Sequence, residues 1–177
     1  MGALADSVRR INITATSPDG SVTARMTADR TIDIAFGAEA LRRHTDASLA
    51  KAAEEAVNGG LRGFQKALST VYEKRYGKAL DFELPKNAPP ANRRIHELSG
   101  ELSVAETSPR GYVKVGVGQR GRVQVRIRPG TVDRLDVSAE QLQTELNSAI
   151  AAARATYSRR AHETVMAVKH EYKTKGR

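Results

Sequence analysis

The chain has 177 residues, no cysteine and a formal net charge of +9, with a pI near 10.1. A disulfide framework and a thiolate metal site are excluded, and so basic a surface points to phosphate polymers, anionic membranes or acidic proteins as partners. No apolar run approaches the ~20 residues of a membrane span, and Met1 to Arg10 lacks the basic-then-apolar layout of a secretion signal, so a cytoplasmic location is expected.

In chain order, Ile11 and Ile13 alternate with polar neighbours and lead into a turn at Thr16-Ser17-Pro18-Asp19-Gly20. Val22 to Met26 reads as the returning strand, and Asp29-Arg30 turns into a third strand carrying Ile32, Ile34 and Phe36. The period of two predicts an antiparallel meander with one apolar face. Leu49, Ala53, Val57, Leu61, Phe64, Leu68 and Tyr72 then recur at helical spacing, which predicts a helix from about Asp46 to about Arg75. Gly59 and Gly60 inside it weaken the helix and are expected where another helix approaches closely. Leu84-Pro85-Lys86-Asn87-Ala88-Pro89-Pro90 reads as a linker, and Ala91 to Leu98 as a short helix.

The plan then repeats. Leu102 and Val104 precede Thr107-Ser108-Pro109-Arg110-Gly111, which stands 91 positions after the first such turn. Val113, Val115 and Val117 match Val22, Ala24 and Met26, and Val123, Val125 and Ile127 match Ile32, Ile34 and Phe36, all at that offset. A second helical stripe runs through Leu142, Leu146, Ile150, Ala153, Tyr157, Val165, Val168 and Tyr172, with Ser138 and Gln141 as a capping box. The expected fold is α+β: two modules, each an antiparallel three-stranded meander followed by a long helix, arranged as an intramolecular pseudo-dimer. The expected divisions are a first module over 1–84, a linker over 85–90 and a second module over 91–177. A tandem of small equivalent units implies incomplete cores that complete each other.

Residues 111–129, from Gly111-Tyr112-Val113-Lys114-Val115 through Gly121-Arg122-Val123 to Arg126-Ile127-Arg128-Pro129, resemble the hairpin of the YbaB/EbfC family of small nucleoid-associated proteins. The alanine-rich helix with Asn147 is similar to the family pattern as well. The first module follows it more loosely, with Thr23 in place of the lysine and Ala38 in place of the proline. Family members are typically single modules that carry a long helix before the meander and dimerise, so the resemblance implies a fused pseudo-dimer with a diverged first half. It implies sequence-tolerant DNA binding; actinobacterial relatives imply instead an accessory or chaperone role in type VII secretion.

Residues 1–88 carry 13 Lys/Arg against 11 Asp/Glu, whereas residues 89–177 carry 16 against 9. The positive charge is therefore concentrated in the second module. If Val123, Val125 and Ile127 face the core, Arg122, Gln124, Arg126 and Arg128 share the opposite face, a row suited to a phosphate backbone. The matching face of the first module has Thr31, Asp33 and Ala35. A second basic group, Arg159, Arg160, Lys169 and Lys173 with Arg154, Lys175 and Arg177, lies on the last helix, whose end is expected to pack on the first helix.

Gly116-Val117-Gly118-Gln119-Arg120-Gly121 satisfies G-x-G-x-x-G, but a strand follows it where a dinucleotide site needs a helix, so it reads as a hairpin turn. His44, His96, His162 and His170 show no metal-ligand spacing and read as surface residues; no nucleophile elbow is present. Neither cofactor, metal, catalytic residue, small-molecule substrate nor membrane partner is expected. The reading is a non-enzymatic protein, localised to the nucleoid, that binds duplex DNA through Arg122, Arg126, Arg128, Arg159, Arg160, Lys169 and Lys173. The alternative is a protein-binding accessory or chaperone with a protein client.

Overall fold

The computed structural model describes residues 2–80, 82–134 and 136–175. Its two halves are built on the repeated turn. Ser17 and Ser108 are each 4% exposed, and their hydroxyls accept the N–H of Val22 and of Val113, both at 3.0 Å. The Ser17 and Ser108 N–H groups donate to the carbonyls of the same two valines. Gly20 and Gly111 close the turns at φ 74° and 75°, the left-handed region where a Cβ is disfavoured. Thr-Ser-Pro-x-Gly therefore recurs because this turn needs a short buried acceptor and a residue without a side chain. Ser108→Ala leaves the N–H of Val113, itself 1% exposed, without its acceptor; chemical denaturation should show a loss of about 1–3 kcal/mol.

The turns join β1 (Asn12–Thr16) to β2 (Val22–Thr27) and β4 (Val104–Thr107) to β5 (Val113–Gly118). With β3 (Ile32–Phe36) and β6 (Arg122–Ile127) they form two separate three-stranded antiparallel sheets, ordered β1-β2-β3 and β4-β5-β6. Val22 lies opposite Phe36 and Val113 opposite Ile127, so the two meanders share one register. Alternation buries Val22, Ala24, Met26, Ile32 and Ile34 in one sheet and Val113, Val115, Val117, Val123 and Val125 in the other.

Each sheet is followed by a long helix, α3 (Asp46–Tyr76) and α5 (Ala139–Lys175), with a short α2 (Ala40–Arg43) before the first. Both long helices begin in capping boxes, Thr45 with Ser48 and Ser138 with Gln141. Thr45 falls on Ser138, Leu49 on Leu142, Val57 on Ile150 and Phe64 on Tyr157 when the helices are matched.

The modules interlock through these helices. α3 packs on β1 and β2 of its own sheet and also on β6; α5 packs on β4 and β5 and also on β3. The Asn58 side chain accepts the N–H of Val123 at 3.0 Å and donates to its carbonyl at 2.8 Å. Asn147 does the same for Ile34, at 2.7 and 3.1 Å. Gln143 accepts the N–H of Phe36, and Glu54 that of Val125. Each helix thus covers its own sheet and satisfies the free edge of the other, the edge that would otherwise template aggregation. Asp46 adds a tie by accepting the N–H groups of Gly130 and Val132 at 2.7 and 2.8 Å. A tandem of similar modules closed as an internal pseudo-dimer is what the sequence leads one to expect.

Two expectations need correction. The close approach at Gly59 and Gly60 is to strands rather than to a helix: a Cβ at Gly59 would lie 3.3 Å from that of Ala15, and one at Gly63 would lie 2.8 Å from Ile13 Cγ2. Glycines let α3 settle onto β1, and helical periodicity shows that a face is buried without showing against what. Likewise, the end of α5 packs on α4 (Pro90–Glu101) rather than on the first helix. Val168 is buried there, while Tyr172 is 38% exposed; Gly176 and Arg177 of the basic tail lie outside the described residues. A short helix that the sequence reading left unassigned, α1 (Gly2–Arg9), precedes the first meander and packs on α3.

Candidate nucleic-acid interface

Because Val123, Val125 and Ile127 are buried, Arg122, Gln124, Arg126 and Arg128 are all exposed on the outer side of the second sheet. The two-strand register adds Lys114, which lies directly opposite Arg126. The remaining outward positions are Ala105 and Thr107 on β4 and Gly116 and Gly118 on β5, so none of the outward strand residues is acidic. At the matching positions of the first sheet stand Thr23 and Ala35, and the nearest basic residue there, Arg25, faces Asp33 and donates to Asn12 Oδ1. The first face sets its arginine opposite an acid; the second sets two cations opposite each other.

A groove of about 700 Å³ runs beside this face, between the first turns of α3 and β6. Lys51, Lys114, Arg126 and Arg128 all line it, with Ala47 and Ala50 on the helix side. Arg122 stands farther along β6 and lies 3.8 Å from Glu54, an ion pair whose arginine side chain is 71% exposed; such pairs hold little. Arg134, by contrast, is committed: it donates twice to Asp136, at 2.9 and 2.7 Å, and its guanidinium lies 5.8 Å from the centre of the Tyr112 ring. The hydrogen bond to Asp136 raises the pKa of Arg134 and lowers that of its partner.

The second expected group does not join the first. Arg159, Arg160, Lys169 and Lys173 are exposed, but α5 lies against the inner side of the second sheet, away from the outer face. Arg159, Lys169 and Lys173 lie within about 80° of one another around the helix at ~100° per residue, on the side opposite the buried stripe. Arg160 points elsewhere on that period.

His44 is not the surface residue expected from sequence. Its side chain is 9% exposed, with Nε2 2.9 Å from Asp19 Oδ2 and 2.8 Å from Ser21 Oγ. Asp19 is lowered to about 2, chiefly by the hydrogen bond from Ser17, with further contributions from Ser21 and His44. These contacts fasten the first turn to the start of α3 and serve the fold. Tyr112 and Tyr157 pack against the core as partly buried residues. Gly116 to Gly121 spans the β5–β6 hairpin, where Gln119–Gly121 forms one 3-10 turn.

Lys114 and Lys51 escaped the sequence reading. Alternation alone would have placed Lys114 with Arg126, whereas Lys51 reaches the groove only because α3 crosses to the other module's sheet. No family model, no curated protein and no solved structure matches the chain.

Proposed function

We propose that this protein binds duplex DNA with little sequence preference, through the outer face of its second sheet, and acts without catalysis as a nucleoid-associated protein. The observation that carries the reading is the exposed Lys114–Arg126 pair. Like charges directly opposite in a sheet are destabilising, by up to about 1 kcal/mol, and no outward carboxylate on that sheet offsets them. A polyanion offsets them when bound. Lys51 and Arg128 on the same groove extend the contact along a phosphate backbone.

Long cationic side chains on a strand face meet phosphates, which position a duplex without reading its bases. Among the described residues no helix projects from that face to enter a major groove, so little sequence preference follows. The resemblance to the YbaB/EbfC hairpin supports the same reading, with Lys114 at the family's lysine position, and membership of that family is part of the proposal. Titrating labelled duplexes of unrelated sequence at rising salt tests it: affinity should be similar across sequences and fall steeply with salt, because releasing condensed counterions gains less as the salt concentration rises. A largely apolar protein client would show no such dependence.

A further inference from the structure

A second cavity, of about 730 Å³, opens along the middle of α3, between that helix, the β5–β6 turn and α5. Five arginines line it: Arg30, Arg62, Arg120, Arg122 and Arg154. They come from five segments, the β2–β3 turn, α3, the β5–β6 turn, β6 and α5, and from both modules, so no single stretch of sequence announces them. Glu54 and Glu55 are the acidic residues on its wall, and Glu54 is already engaged with Val125 N–H and Arg122. Among the described residues, no carboxylate forms an ion pair with Arg30, Arg62, Arg120 or Arg154.

Two of these arginines sit in backbone conformations that side chains disfavour. Arg30 has φ 66° and Arg120 has φ 62°, and they are the two described non-glycine residues in the left-handed region. One stands in each module's second hairpin turn, and both line the same cavity. Strained positions of this kind persist where function retains the side chain. Arg154 is partly buried, and burial followed by the charge of Arg30 lowers its pKa, which places two like charges close to each other in the cavity. The cavity is not uniformly polar: Leu61, Phe64 and Leu68 form an apolar wall, and Phe82 at its edge is 53% exposed.

We infer that this cavity is a binding site for a small organic polyphosphate of nucleotide size, its phosphoryl groups held by Arg30, Arg120 and Arg154 and its uncharged end against Phe64 and Phe82. A volume of this order suits such a ligand, and guanidinium groups chelate phosphate oxygens in pairs. The site goes beyond the DNA reading and shares only Arg122 with it.

The full chain and an Arg30→Gly/Arg120→Gly variant are titrated calorimetrically with ATP and with inorganic pyrophosphate, and melting temperature and duplex binding are recorded for both. Glycine suits both left-handed positions, so the variant should melt no lower than the parent while its ATP affinity falls at least tenfold. Pyrophosphate should bind the parent more weakly than ATP, because the apolar wall is unused, and duplex affinity should change by less than threefold. Failure of the parent to bind ATP, or equal ATP affinity in the variant, overturns the proposal. So does loss of ATP and duplex binding together, which would make the cavity part of the DNA surface. Failure of the DNA reading alone leaves the ATP result unaffected.

Discussion

Residues 1–84 and 91–177, expressed apart, should each fail to give a stable monomer. Leu49 and Val57 on α3 and Leu146 and Ile150 on α5 are fully buried, and each helix has one of its contact surfaces in the other module. Separation uncovers that surface and strands the edge groups of Ile34 and Val123, which hydrogen-bond to the other module's helix. Small domains retain about 5–15 kcal/mol in total, so a loss on this scale is decisive. Point substitutions give a graded version: Asn58→Leu and Asn147→Leu should each cost about 1–3 kcal/mol, read by urea denaturation. Two halves that melt cooperatively as separate monomers would show that the modules are independent.

Lys114→Glu should raise stability by up to about 1 kcal/mol while weakening duplex DNA binding on the order of tenfold at low salt. The substitution turns the self-repelling Lys114–Arg126 pair into an attractive one on an exposed face, and it replaces a phosphate partner with a carboxylate. Opposite signs for stability and binding are the mark of a residue retained for function. The control is Thr23, the matching position in the first sheet: Thr23→Glu should leave DNA binding within a factor of two. Lower stability for Lys114→Glu would mean that the lysine stabilises the sheet, and the argument from uncompensated charge would fall.

The meanders were legible because turn chemistry and alternation act locally. Ser17 and Ser108 fix where each chain reverses, and the period of two then assigns every strand side chain to a face. The helix limits were legible for the same reason: Ser138 with Gln141 starts α5 within the chain's own four residues. The partners of these faces were not. Gly59 and Gly60 had to meet something close, yet only the crossing of α3 over the first sheet decides that it is Ala15 and Met26. Asn58, Asn147 and Gln143 look like ordinary polar residues beside an apolar stripe, since the free strand edge they satisfy lies in the other module. The site divided along the same line. Arg122, Arg126 and Arg128 came from one strand's alternation, whereas Lys51 and the cavity formed by Arg30, Arg62, Arg120 and Arg154 exist only through packing between segments distant in sequence.

The most direct measurement is the slope of log duplex affinity against log salt for the parent chain and for a variant with Lys114, Arg126 and Arg128 replaced by glutamine. At roughly 0.9 per phosphate contact, the account predicts that the variant's slope is shallower by about three units, uniformly across unrelated duplexes, with its melting temperature unchanged or raised. An unchanged slope in a folded variant would contradict it and place any DNA-binding surface away from the outer face of the second sheet.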